Sequence, residues 1–433
     1  MDISGRFTDT KPHFKILDGL RGAAALMVVW YHVFEGFAFA GGTAITTFNH
    51  GYLAVDFFFL LSGFVISYAY DSRWGKKSGN NILTGSNAQF SNSLCSTSSY
   101  SNTPENTFTI WSFFKRRLIR LHPMVVMGAV IGAITFLIGG SLKWDGTQTQ
   151  PLWILAALLM GMLLIPAYPG AGYDVRGNGE MYSLNGPSWS LFFEYLGNVM
   201  YALFIRKLSG RGLGILTVIM GILLGWYAIA DISTYGMIGV GWTLDAVNFF
   251  GGFIRMMFPF TLGMLICRNF KPCRAPKGIF WIASAALFAI FSVPYIPACG
   301  EICLNGVYEI ACISIIFPMI LWLGASAATS YGDTTTDPKN ADAAAATDKN
   351  DSTSAAPGRT EKISSFLGEL SYPLYIVHYP IMYLFYQWLI KEKIYTLGEC
   401  WLVVVGVMVL CITLAYACLK LYDLPVRKWL SRR

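Results

Sequence analysis

His32 stands inside an apolar run, Ile16 to Phe37, that also carries Asp18, Arg21 and Glu35. Ionisable side chains are costly in a membrane-spanning helix and are kept there for a use. Arg21 and His32 are eleven residues apart. At roughly 100° per residue this returns both side chains to nearly one helix face, about 16 Å apart along the axis. Asp18 falls roughly 40° off that face and Glu35 follows one turn after His32, so acid, guanidinium and imidazole form a single stripe. Imidazole is the one group here whose ordinary pKa lies near neutrality. His32 is therefore either a general base facing an internal cavity or a hydrogen-bonding group at a helix contact.

Further constellations lie downstream. In Lys115-Arg-Arg-Leu-Ile-Arg-Leu-His-Pro123, Arg117 and Arg120 share a helix face at i, i+3. Two guanidinium groups at the edge of an apolar run make a clamp for phosphates, although a basic cluster at such a place is also an ordinary topology signal. Trp189-Ser-Leu-Phe-Phe-Glu194 sets Ser190 and Glu194 one turn apart, and no basic residue follows Glu194 until Arg206. An ionisable group so placed is expected to face a wet cavity. Ser371 to His378 brings a second imidazole into an apolar segment, either as a satisfied interhelical contact or as part of the site. Asp56 and Arg255 are further intramembrane charges, suited to pairing with each other. There is no metal-ligand spacing, no glycine-rich phosphate loop and no nucleophilic serine elbow, which removes most soluble enzyme classes.

The elements that must position these groups follow from composition. The chain has 433 residues, 54% hydrophobic and only 13% charged, with mean hydropathy +0.48, too little charge for a soluble surface. An all-α, polytopic membrane protein is expected. Apolar segments of spanning length occur near 18–40, 52–70, 122–140, 188–205, 212–230, 248–267, 279–298, 306–327, 366–390 and 399–421, ten in all. The run Leu152 to Pro166 is shorter and bounded by prolines, which suggests a re-entrant helix. With ten crossings and both termini cytoplasmic, nearly every Lys/Arg cluster falls inside; Lys391 and Lys393 are the exceptions. The net charge of +7 is thus topological, and no nucleic-acid partner is implied. The first helix has no cleavage site behind it and is expected to stay as an anchor. Two low-complexity stretches, 78–106 and 332–358, are expected to be mobile cytoplasmic loops within a single 1–433 domain. Of nine cysteines, only Cys299 and Cys303 are placed to form an external disulfide.

Four stretches resemble the membrane acyltransferase-3 family, which O-acylates cell-surface glycans. They are Leu17-Asp-Gly-Leu-Arg-Gly with Arg21 and His32 at Arg-x10-His spacing, Val55-Asp-Phe-Phe-Phe-Leu-Leu-Ser-Gly-Phe64, Arg117-x-x-Arg120 ending in Pro123, and Trp189-Ser-Leu-x-x-Glu194. Ser371 to Pro380 matches a more variable block. The resemblance implies an enzyme of the inner (cell) membrane that draws acyl-CoA, with acetyl-CoA the expected donor, from the cytoplasm and passes the acyl group to a glycan or other hydroxyl acceptor. It implies that Arg117 and Arg120, with Arg21, hold the donor and that His32 does the proton chemistry. Glu35 and Glu194 are then expected to stabilise the imidazolium, and Trp189, Ser190 and His378 to contact substrate. No metal and no permanently bound cofactor are implied. Nothing resembling the extracytoplasmic hydrolase-like domain of some members follows the last span, so the chain is expected to act alone or with a separate extracytoplasmic partner. The rival reading is a proton-coupled transporter or flippase in which His32, Glu194 and His378 form a relay.

Overall fold

A computed structural model of the protein describes residues 14–74, 108–330 and 358–432. The two stretches expected to be loops, 78–106 and 332–358, fall outside the described residues except for Gly358. Among the described residues there are helices and isolated bridges but no β-strand. In chain order the helices are α1 (Lys15–Gly41), α2 (Ala54–Tyr70), α3 (Ile110–Ile138), α4 (Pro151–Met162), α5 (Ser188–Leu203), α6 (Gly210–Ile229), α7 (Ala246–Arg268) and α8 (Ile279–Phe291). There follow α9 (Leu304–Ala311), α10 (Phe317–Ser330), α11 (Arg359–Glu392), α12 (Leu397–Cys418) and α13 (Leu424–Ser431). π-turns at Cys312–Ile316 and Leu419–Asp423 join α9 to α10 and α12 to α13.

Among the described residues, seven helical stretches, at 15–41, 51–73, 110–138, 210–229, 246–268, 304–327 and 397–431, are long and apolar enough to cross a membrane. The described part is all-helical, and the protein is a multi-pass membrane protein. The other three expected spans are also helices, but α5 has 16 residues, α8 has 13, and α11 carries Tyr, Pro and His along its apolar stretch. The run expected to re-enter forms α4, 12 residues long. At 1.5 Å per residue α4 reaches about 18 Å, short of the ~30 Å hydrocarbon core.

Two helix pairs carry the packing, α1 with α11 and α2 with α7. Helices in lipid gain little from hydrophobic association, so close van der Waals approach at small residues holds such pairs. A Cβ on Gly22 of α1 would lie 2.2 Å from the Leu367 carbonyl oxygen of α11. Gly63 of α2 and Gly263 of α7 seat the second pair reciprocally, against the Phe260 and Leu60 carbonyl oxygens. The same pair is riveted by Arg255, which donates to both carboxylate oxygens of Asp56 at 2.9 and 2.8 Å and to the Tyr52 carbonyl at 3.2 Å. Both side chains are buried, so the expected pairing of these charges is present and serves the scaffold.

Proline shapes α11. Pro380 has no N–H to give the Ile376 carbonyl four residues before it. Asn185 Nδ2, from the loop between α4 and α5, donates to that carbonyl at 3.0 Å. This bond holds the loop against α11. Cys299 and Cys303 are free thiols, not the expected disulfide. Cys303 is buried at the start of α9, where its Sγ accepts from the Gly306 N–H at 3.4 Å, so it caps the helix instead.

Candidate active site

The polar stripe of α1 opens onto two cavities. Lys15, Asp18 and Arg21 line one of about 640 Å³. Tyr31, His32, Glu35 and Phe39 line another of about 480 Å³. Val55 of α2 and Tyr375 of α11 line both and form the partition between them.

The first cavity is basic. Arg117 and Arg120 of α3 reach it, as their i, i+3 spacing predicts, together with Lys15, Arg21, Lys420 and Arg427. Arg21 is braced by Asp18 at 2.7 Å and donates from Nε to Ser371 Oγ at 3.2 Å. Arg117 Nη2 donates to Glu194 Oε1 at 2.9 Å, and Ser62 Oγ donates to the same oxygen at 2.9 Å. Arg120 makes no ion pair among the described residues, so its guanidinium is free to meet an anion. Glu194 thus faces a cavity, as expected, but it is the basic cavity and not the one that holds His32. Its partner comes from another helix, 77 positions away, and the pair lies in the basic cavity. Ser190 also lines this cavity, sharing a 2.8 Å hydrogen bond with the Tyr375 hydroxyl of the partition.

The second cavity holds the imidazole. His32 Nδ1 lies 2.7 Å from Glu35 Oε2. The carboxylate accepts, so Nδ1 carries the proton and Nε2 is left as the basic nitrogen. Glu35 is fixed in turn by the Tyr386 hydroxyl, which donates to Oε2 at 2.8 Å and also lies 2.8 Å from the His32 carbonyl. The Tyr379 hydroxyl is a longer donor at 3.4 Å. A carboxylate that orients an imidazole, with its own position set by further donors, is the arrangement a general base needs.

His378 is fully buried, its ring stacked on His32 at 5.2 Å between centroids. Its Nδ1 donates to the Leu374 carbonyl at 3.0 Å, and its Nε2 has no partner among the described residues. It lines neither cavity and lies behind the His32 ring, which differs from the expected contact with substrate. Trp189 does line the second cavity, with the Arg255 guanidinium 5.3 Å from its ring centre.

Sequence reasoning missed Glu180, which the loop between α4 and α5 places in the wall of the His32 cavity. The Tyr383 hydroxyl donates to its carboxylate, and Tyr383 is itself covered by the Arg176 guanidinium 3.6 Å from the ring centre. Burial pushes the Glu180 carboxyl up to about 7, against the opposing pull of that hydroxyl and of Arg176. A signal for the tyrosines exists. Tyr379, Tyr383 and Tyr386 recur at i, i+4, i+7 and so share one face of α11. Nothing local marks Glu180, because distant partners place its loop: Glu180 bridges to Thr243, the Met181 N–H donates to the Trp242 carbonyl at 2.8 Å, and Asn185 donates to the proline-freed carbonyl.

The comparisons with known proteins agree with the geometry. A profile described as an acyltransferase domain matches residues 14–420. "Protein 2 in picA locus" of Rhizobium radiobacter is 32% identical over 195 residues, covering 44% of this chain and 81% of that protein. No solved structure matches. A match over nearly the whole chain, including all the motif residues, makes this protein a member of the acyltransferase-3 family and a membrane acyltransferase.

Proposed function

We propose that the protein moves an acyl group, acetyl by preference, from cytoplasmic acyl-CoA to a hydroxyl of a cell-surface or periplasmic glycan. The observation that carries this reading is the division of one helix stripe between a basic cavity and a histidine cavity whose linings share Val55 and Tyr375. In it, Arg117, Arg120 and Arg21 bind the CoA phosphates, and the pantetheine arm passes Tyr375 to bring the thioester to His32. The acceptor enters the second cavity. His32 Nε2 takes the proton of its hydroxyl as the oxygen attacks the thioester carbonyl carbon. The tetrahedral adduct collapses with cleavage of the C–S bond, and the departing thiolate takes the proton from the His32 imidazolium, which restores the base as CoA leaves. Glu35 stabilises the imidazolium, while Glu194 serves the donor side by setting the Arg117 rotamer. Trp189 presents an aromatic wall to the acceptor, and Ser190 holds Tyr375 at the partition.

The basic cavity faces the cytoplasm in this reading, because Lys115, Arg116 and the C-terminal Arg427 and Lys428 cluster at its end of the bundle. Ten crossings, with α5, α8 and α11 counted as spans and α4 as re-entrant, put both termini there and the loop carrying Glu180 outside. The inner membrane is the location that supplies acyl-CoA on one face and glycan on the other.

The test is acyl transfer from radiolabelled acetyl-CoA in isolated membranes. Wild-type membranes are expected to lose label from CoA to polysaccharide, with Arg117→Ala and Arg120→Ala raising the KM for acetyl-CoA and His32→Asn abolishing transfer. Label retained on CoA by wild-type membranes supplied with native glycan refutes the proposal.

A further inference from the structure

The last turn of the bundle adds side chains to the basic cavity that the motif residues do not account for. Leu419, Lys420, Asp423, Leu424 and Arg427 all line it. Asp423 and Arg427 lie beyond the matched residues 14–420. They stand on the π-turn Leu419–Asp423 and on α13, and such turns are frequent at functional sites because the extra residue reshapes the local surface.

The chemistry of this corner is mixed. Arg427 Nη1 donates to Asp423 Oδ2 at 3.0 Å, which holds the guanidinium at the cavity. The other carboxylate oxygen, Asp423 Oδ1, is buried and has no hydrogen-bond partner among the described residues, although Asp423 is only 1% exposed. A buried acceptor left without a donor is costly, and a ligand that brings an N–H or O–H removes that cost. Lys420 adds a second cation, held by a 3.1 Å bridge to Glu369 in which both partners are well exposed, and 5.6 Å from the centre of the Tyr416 ring. The corner therefore suits a ligand with an anionic group for Arg427 and Lys420 and a hydrogen-bond donor for Asp423. A lone phosphate satisfies only the cations. Adenosine carrying a 3′-phosphate satisfies all three, through its phosphate and its exocyclic amine or ribose hydroxyl.

We infer that the π-turn and α13 form the nucleotide end of the donor site, where Arg427 and Lys420 take the 3′-phosphate of CoA and Asp423 Oδ1 accepts from the adenosine. This assignment rests on the acyl-CoA reading above. It divides the donor between two sets of groups. Arg117 and Arg120 take the diphosphate toward the partition, and α13 takes the nucleotide at the mouth.

Binding of CoA and of 3′-dephospho-CoA to the full chain purified in detergent tests it without an acceptor. Wild-type protein is expected to bind CoA about tenfold or more tighter than dephospho-CoA, the worth of a charge-assisted contact. Arg427→Gln and Lys420→Gln are each expected to reduce that ratio toward one while leaving dephospho-CoA affinity unchanged. Arg427→Lys is expected to restore part of it. The double variant Asp423→Asn, Arg427→Gln removes the uncompensated carboxylate and keeps the comparison valid if the single variant folds poorly. Variants that weaken both nucleotides equally, or neither, overturn the assignment while leaving the donor reading intact. Wild-type protein that binds neither nucleotide overturns both.

Discussion

Replacing Glu35 by glutamine separates a general base that needs its carboxylate from a histidine that needs only a hydrogen bond. The amide is nearly isosteric with the carboxylate, whose Oε2 lies 2.7 Å from His32 Nδ1, and its oxygen can still accept from that N–H, so orientation of the ring survives. The lost quantity is the attraction between carboxylate and imidazolium as the proton arrives. The His32 and Glu35 side chains are 14% and 29% exposed, so an intermediate screening applies rather than that of a dry interior. Unit charges about 4 Å apart at an effective dielectric constant of about 20 attract by about 4 kcal/mol, which corresponds to about 10³-fold in rate. That value sits inside the 10²–10⁴-fold range typical of acid–base assistance. Initial rates of transfer from acetyl-CoA in membranes of matched protein content should therefore show kcat about 10³-fold lower in Glu35→Gln, with the KM for acetyl-CoA unchanged because the donor is held in the other cavity. A kcat within a factor of about three of wild type would refute the reasoning, since it corresponds to well under 1 kcal/mol.

Further outcomes follow from the same contacts. Tyr386→Phe, which removes the 2.8 Å donor to Glu35, should cost about tenfold in kcat, the worth of one hydrogen bond to a charged group, read in the same assay. Gly63→Ala should lower the detergent melting temperature through about 1–3 kcal/mol of overpacking, because its Cβ would lie 1.9 Å from the Phe260 carbonyl oxygen. Asp56→Ala strands the buried Arg255 charge and should cost about 3–5 kcal/mol, whereas Asp56→Leu combined with Arg255→Leu should recover part of that loss in the same melting experiment.

The sequence and the structure agree where a single helix carries the information. The eleven-residue spacing of Arg21 and His32 and the i+3 placement of Glu35 are properties of α1 alone, so periodicity suffices to align them. Arg117 and Arg120 reach one cavity for the same reason. Periodicity does not say which cavity a stripe meets, and the stripe of α1 is long enough to meet two. Glu194 shows the limit. Its own helix offers no base, and Arg117 arrives from α3 through packing that no local pattern encodes. Glu180 depends on partners far along the chain: it bridges to Thr243, and Asn185 of the same loop answers the carbonyl that Pro380 frees. Asp56 and Arg255 are legible as a pair because two opposite charges in spanning segments have few other ways to be satisfied.

Sidedness of transfer addresses the central claim, that the stripe of α1 links a donor cavity on one face to a base on the other. Inverted membrane vesicles can be given labelled acetyl-CoA on the face that bears Arg117 and Arg120, with wild-type and His32→Asn protein at equal abundance. The account predicts that label enters esters enclosed within wild-type vesicles and that His32→Asn, which can hydrogen-bond but cannot accept the proton, leaves it on CoA. Near-normal enclosed label in the His32→Asn vesicles, or ester formed only on the face that received the donor, would contradict it.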